Sequence, residues 1–211
     1  MTIYVPPHFR VEDRERLVEF MRAHAFATLV SVGDAGLDVS HVPLLVDLDG
    51  ESIRLRGHLA RANGQWERLE GAKHVTAIFH GPHAYVSPTW YVTHPSVPTW
   101  NDAVVHAHGS ARLTEEAELH EVVSELSAQY EAGNRPPWKL SAQPAAYVSS
   151  MLGMIVGFEI EVARVEGKFK LSQNRPVEIP GVAGRLEASG ELELAAMMRA
   201  HAPAPKSKIT T

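Results

Sequence analysis

Apolar and polar residues alternate through residues 26–59 in three runs, FATLVSV, LDVSHVPLLVDL and IRLRGHL, separated by GDAG and DGES. Successive side chains of a strand point to opposite faces, so a period of two marks half-buried strands. Gly33, Gly36 and Gly50 stand where tight turns want them, and together the runs predict an antiparallel meander. Ahead of it, Glu12–Ala23 sets Leu17, Val18 and Met21 at helical spacing behind an acidic start, which predicts an amphipathic helix. Beyond it, 62–70 (ANGQWERLE) predicts a short helix and 74–80 (HVTAIFH) another strand. The proline-studded run from Gly81 to Asp102 reads as irregular, and alternation resumes over 104–113. Thr114 is the expected N-cap of a helix whose Leu119, Val122, Val123, Leu126 and Tyr130 form one stripe and which Gly133 ends. A helix over Ala145–Leu152, two strands turning at Glu166-Gly167, a helix near Glu191–His201 and a frayed APAPKSKITT complete the chain.

Six or more strands with helices between them predict a mainly β, α+β architecture built on an antiparallel barrel. One domain is expected over residues 1–180, followed by a helical extension and tail over 181–211. With 20 basic against 25 acidic residues and a net charge of −5, the chain lacks the excess positive charge of a general nucleic-acid surface. It contains no cysteine, which excludes disulfides, thiolate metal sites and cysteine nucleophiles. The start MTIYVPPHFRVEDRER has neither the basic head nor the apolar core of a signal peptide. The longest apolar run, Met151–Phe158, is too short to cross a bilayer, so a soluble cytoplasmic protein without a membrane partner is expected.

Within this acidic chain the stretch IRLRGHLARANGQW is an exception. Arg54, Arg56 and His58 share one face of the predicted strand, and Arg61 follows. Guanidinium forks match phosphate oxygens bidentately, and the ARANG turn leads into a helix whose positive end favours an anion. The other reading is a solvated face whose arginines pair with the protein's own carboxylates. Tyr85, Trp90, Tyr91 and Trp100 on a stiff loop can wall a flat heterocycle, or can simply cover the core. KFKLSQNR offers Lys168, Lys170, Ser172, Gln173, Asn174 and Arg175, donors suited to the polar edge of a ring or to turn formation. The 12 histidines form no recognised metal motif, and no metal is expected. GxSxG, GxGxxG and phosphate-loop patterns are missing, and no catalytic group is assigned.

YVPPHF, HVPLL, GHLARAN, HGPHAYVSPTWY, VPTWN and IVGFEIEV with KLSQNR occur in this order from about residue 4 to residue 175. Together they resemble the PaiB-like FMN-binding negative transcriptional regulators. The resemblance implies a six-stranded FMN-binding split barrel, related to the pyridoxamine phosphate oxidase group, that dimerises and holds FMN between subunits. It implies that Arg56, His58, Arg61 and Asn63 cradle the phosphate and ribityl chain, with His41 adding a contact from the preceding strand. Thr99, Trp100 and Asn101 would reach the flavin, as would Lys170, Ser172, Gln173 and Asn174 from the C-terminal strand of the same or the partner subunit. Two departures stand out: Asp102 replaces the usual tyrosine after VPTWN, and PVEIPGVAGRLEASG would delay the final helix to near Ser189.

The expected function is that of a PaiB-type negative regulator of transcription that binds FMN as a homodimer. With no helix-turn-helix and no basic recognition helix in view, an indirect link to DNA through the flavin or a partner protein is expected. Two alternatives stay open: a flavin-dependent oxidoreductase or flavin reductase, with His83 or His94 as proton donor, and a haem-binding or haem-degrading split barrel.

Overall fold

The computed structural model describes residues 3–33 and 36–202. Its described elements are β1 (Arg10–Val11), α1 (Arg14–Ala23), β2 (Phe26–Gly33), β3 (Gly36–Pro43), β4 (Leu45–Asp49), β5 (Ser52–Ala60), β6 (Val75–Val86), β7 (Thr99–Leu113), α2 (Glu116–Glu131), α3 (Ala145–Leu152), β8 (Ile155–Lys170), α4 (Ile179–Ala188) and α5 (Leu192–Ala200). The strands form one eight-stranded sheet in the order β3-β2-β6-β7-β8-β5-β4, with β1 added to β8. The α+β class is as expected, with eight strands in place of six. By contacts the chain divides into two compact units. The first comprises 1–12, 80–104 and 166–211, and the second 13–79 and 105–165.

In the second unit the expected meander is broken. The run LDVSHVPLLVDL is two strands, β3 and β4, which lie at opposite ends of the sheet order although one residue, Leu44, joins them. A sheet whose two edges are one residue apart has curled round on itself, as barrel closure requires. Pro43 ends the β3 ladder opposite Phe26, and the Leu44 N–H donates to the Ala25 carbonyl at 2.9 Å. Alternation then decides what is buried: Ile53, Leu55 and Leu59 of β5 point inward, as do Leu29 of β2 and Phe158 and Ile160 of β8. The helix α1 is capped by Asp13, which accepts from the Arg16 N–H at 3.2 Å, and buries Leu17, Val18, Phe20 and Met21. At the start of α2, Glu115 takes the N-cap position expected of Thr114, and its N–H donates to Glu118 Oε2 at 2.9 Å.

Three further expectations are corrected. The strand β6 continues through Gly81-Pro82, where its alternation shifts by one residue: Val75, Ala77 and Phe79 are buried before it, and Ala84 and Val86 after it. The strand β7 likewise begins at Thr99, inside the run read as irregular. Glu166-Gly167 is not a turn: β8 runs 16 residues, pairing β5 along its first half and β1 at Gly167 and Lys168. PVEIPGVAGRLEASG forms α4, since Pro180 in the first turn has no hydrogen-bonding duty there. Within the first unit α4 and α5 bury Ile179, Val182, Leu186, Leu194 and Met198. The expected turn residues Asp34 and Ala35 and the expected frayed tail from residue 203 onward lie outside the described residues.

Candidate functional site

The cationic face of β5 has found anions within the chain. Arg56 Nε and Nη2 donate to Asp47 at 2.5 and 3.1 Å, while Nη1 and Nη2 donate to Glu125 at 3.2 and 2.6 Å. Four of the five guanidinium N–H donors are thereby engaged. Asp47 first, and Glu125 after it, raise the pKa of Arg56 further above its ordinary value. Arg54 lies 3.9 Å from Glu159, whose other oxygen is 3.3 Å from Arg112. The same face carries Leu45, which forms a buried cluster with Val122 and Leu126, so α2 covers it. Arg56 therefore has one N–H left, and no paired fork, to offer a phosphate while these bonds persist. His58 shares this face; its Nδ1 is buried with no hydrogen-bond partner among the described residues, and burial lowers its pKa, favouring the neutral imidazole.

The turn after β5 is differently built. Arg61 Nε donates to the Gly153 carbonyl at 2.8 Å and Nη2 to Ile155 at 3.1 Å, which leaves Nη1 uncommitted. Its guanidinium carbon stands 5.9 Å from the Trp66 ring centre, and the Trp66 indole N–H returns to the Arg61 carbonyl at 2.9 Å. A cavity of about 290 Å³ is lined by Arg61 and Glu116 together with Thr114, Leu119, Ser149 and Gly157. Asn63 is not free: its Oδ1 caps the Gln65 N–H at 3.0 Å and its Nδ2 donates to Ser40 Oγ at 2.8 Å. The expected helix is a 3-10 turn of five residues, Gly64–Arg68, too short for a significant dipole, so that part of the anion argument fails.

His41 is exposed on β3, with Nδ1 3.0 Å from Thr28 Oγ1. Around it, the outward face of the β2–β3 hairpin is apolar. Phe26, Val32, Leu37 and Val39 are each more than half exposed.

In the first unit the predicted residues sort into two groups. Asn101 is fully buried and donates to Ser172 Oγ at 3.0 Å, and Gln173 folds back to accept from the Leu171 N–H at 2.7 Å and donate to the Phe169 carbonyl at 2.6 Å. These three hold the end of β8, where Ser172 sits at φ 68°. Trp100, 56% exposed, is flanked by Tyr85 at 6.1 Å and His83 at 6.4 Å between ring centres. Lys170 donates to Thr99 Oγ1 and, at 2.6 Å, to the Trp100 carbonyl. Burial lowers its pKa, the neighbouring Lys168 lowers it too, and Asp102 opposes both. Asp102 itself meets Lys168 at 2.8 Å, so the departure from the family pattern is neutralised. Asn174 is exposed.

Two functional candidates escaped sequence reasoning. Gln65 is 2% exposed and lies at the centre of a polar cluster. Glu178 is equally buried and accepts from the Val92 and Thr93 N–H groups at 2.8 and 3.1 Å and from Thr93 Oγ1, fixing the proline-rich segment. For Gln65 a signal existed, since Asn two residues before it is a capping pattern. For Glu178 the partners are too distant in sequence to be seen.

Residues 3–164 match the family described as "Putative FMN-binding domain". The chain is 34% identical over 173 residues to "Protease synthase and sporulation protein PAI 2" of Bacillus subtilis, covering 82% of this chain and 83% of that one. An uncharacterised protein of Emericella nidulans is 34% identical over 171 residues, covering 64% of this chain and 68% of that one. Among solved structures, the FAD and heme binding protein from Mycobacterium smegmatis aligns with a TM-score of 0.59 at 14% identity, over 76% of this chain and 73% of that one. The flavocytochrome Anf3 from Azotobacter vinelandii aligns with a TM-score of 0.59 at 15% identity, over 79% and 72%. At such identities these two establish the fold, which is that of the split-barrel flavoproteins. The chain belongs to the PaiB-like FMN-binding domain family, and FMN is the cofactor that membership assigns.

Proposed function

We propose that this protein is a PaiB-type negative regulator of transcription that acts in the cytoplasm as an FMN-binding homodimer, with the flavin or a partner protein relaying the signal to DNA. The observation that carries the flavin half is Arg61. Two carbonyls and the Trp66 ring pre-orient its guanidinium while Nη1 stays available, which is the donor arrangement a phosphate dianion suits. His41 is the exposed second contact on β3. FMN supplies reversible redox chemistry when bound; the chain's own residues hold its phosphate and place its ring. Trp100 and Lys170 are then surfaces offered to the flavin of a partner subunit, as the resemblance implies. The apolar β2–β3 face supports the homodimer, because monomers rarely leave so continuous an apolar strip in water and a two-fold pairs such a strip with itself. The acidic net charge of −5 supports an indirect route to DNA.

The test is direct. Purified protein reconstituted with FMN should show an absorbance band at about 450 nm, sediment as a dimer, and lose FMN affinity at least tenfold in Arg61→Ala. A promoter fragment shifted no more tightly than random DNA, in both flavin redox states and with cell extract present, would sink the regulatory half. Failure to retain FMN would sink the rest. A second reading as an oxidoreductase is favoured by Lys170, an amine whose pKa burial lowers and which donates to the backbone carbonyl of the exposed Trp100. Bleaching of the flavin band by NADH or NADPH at a rate that Lys170→Met lowers would support it.

A further inference from the structure

Arg61, the phosphate contact proposed above, lies on the turn after β5, and His41 projects from the other face of β3 to Ser40. What fixes the Arg61 turn to the hairpin is a closed hydrogen-bonded ring. Ser40 Oγ donates to Gln65 Oε1 at 2.5 Å, Asn63 Nδ2 donates to Ser40 Oγ at 2.8 Å, and the Gln65 N–H donates to Asn63 Oδ1 at 3.0 Å. From the other end of its amide, Gln65 Nε2 reaches Ser31 Oγ at 3.0 Å, the Asp38 carbonyl at 3.2 Å and the Leu29 carbonyl at 3.4 Å. One side chain thus ties the turn that carries Arg61 to both strands of the hairpin that carries His41. The tie is reinforced at its edge by Arg68, which donates to Asp38 at 2.5 and 2.6 Å.

We infer that Gln65 is a positioning residue for the FMN phosphate: it touches no ligand, but fixes the Arg61 turn against the inward face of the β2–β3 hairpin. The inference rests on the flavin reading above. A buried amide with both ends bonded is costly to replace and rigid while intact, which is what a preorganised anion contact requires of the residues behind it. Trp66, the next residue, passes the constraint on through its indole bond to the Arg61 carbonyl. Asn63, assigned to the cofactor by the resemblance, acts here as a member of the ring.

The phosphate gives a readout that general loss of stability would not mimic, because riboflavin lacks it. Affinities of the apo-protein for FMN and for riboflavin are measured by flavin fluorescence quenching in the parent, Gln65→Met, Ser40→Ala and Arg61→Ala. Gln65→Met keeps the volume and removes the amide, and Ser40→Ala opens the ring with a smaller change should the first not fold. The expected result is a tenfold or greater loss of FMN affinity in Gln65→Met and a severalfold loss in Ser40→Ala, with riboflavin affinity within twofold of the parent. Hydrogen exchange of the apo-protein should rise over residues 61–66 in both. Equal losses for the two flavins, or none, in variants that fold would overturn the positioning role alone. A parent that does not prefer FMN, or an Arg61→Ala that keeps the preference, would overturn the flavin reading and the inference with it.

Discussion

Replacing Arg56 by alanine should cost stability and spare FMN affinity, the reverse of what a cationic strand awaiting a phosphate would do. The Arg56 side chain is 17% exposed and grips Asp47, 30% exposed, with two hydrogen bonds. Glu125, 50% exposed, is held more loosely in water. A partly buried, charge-assisted bidentate pair contributes on the order of 1–2 kcal/mol, and a screened exposed pair at most about 1. Truncation also removes the arginine stem from the face that α2 covers, so a total of about 2 kcal/mol is expected. For a chain of this size that is a fall in Tm of about 4–8 °C. The assay is a thermal melt of the apo-protein at low salt and in high salt, run on Arg56→Ala, Glu125→Ala and the double variant. The coupling to Glu125 should shrink in high salt while the remainder of the loss persists, because solvent ions screen the exposed pair and reach the Asp47 pair poorly. FMN affinity should stay within twofold of the parent. An Arg56→Ala protein that melts like the parent and binds FMN tenfold more weakly would refute the reasoning, since it would mean the guanidinium leaves its carboxylates for the cofactor.

Three other outcomes follow from the same contacts. Glu118 is held down to about 2 by the Arg112 guanidinium and the Glu115 N–H. A depressed carboxyl stabilises the fold above its ordinary pKa and loses that contribution as pH falls through the folded value. Stability should therefore drop between about pH 4.5 and 2, by no more than about 1 kcal/mol for so exposed a pair, and an acid titration of Glu118→Gln should lack that step. Glu178→Ala should cost about 2–3 kcal/mol in a denaturant titration, because it strips the acceptor from three donors at once; a loss under half that would mean water replaces the carboxylate freely. Gly157→Ala should cost about 1–3 kcal/mol, since its Cβ would run into Thr114 Oγ1, whereas Gly184→Ala, in open space within α4, should stabilise by about 0.5–1 kcal/mol. Melting both variants side by side checks the pair, and equal shifts would contradict the packing described here.

Much of this fold was legible because burial of one sheet face imposes a period of two on the chain, and β2, β5 and the start of β6 show it plainly. The errors share one physical cause. Gly81-Pro82 and Glu166-Gly167 look like breaks locally, yet both strands continue within the sheet: β1 pairs β8 at Gly167 and Lys168, and β6, between β2 and β7, carries on with its alternation shifted by one residue. The single residue at which β3 becomes β4 looks like nothing, because closure of a sheet is a relation between its edges and leaves no mark between Pro43 and Leu45.

The internal partners of the cationic strand were hidden from the sequence for a related reason. Alternation correctly placed Arg54, Arg56 and His58 on one face, but a face is not a ligand. The partner of Arg56 is fixed by the β4–β5 register, which sets Asp47 opposite Arg54 and therefore diagonal to Arg56, and by a helix 69 residues away that brings Glu125. In a chain with more carboxylates than cations, an ordered row of arginines is first a demand that the fold itself can meet. Arg61 differs because its direct partners among the described residues are carbonyls and an indole, which orient a guanidinium without neutralising it, with Glu116 in the same cavity but not paired to it. A cation that the fold holds but leaves electrostatically unanswered is a better mark of an anion site than any count of cations along a strand. By that criterion the phosphate contact proposed here falls on Arg61 rather than on the strand before it.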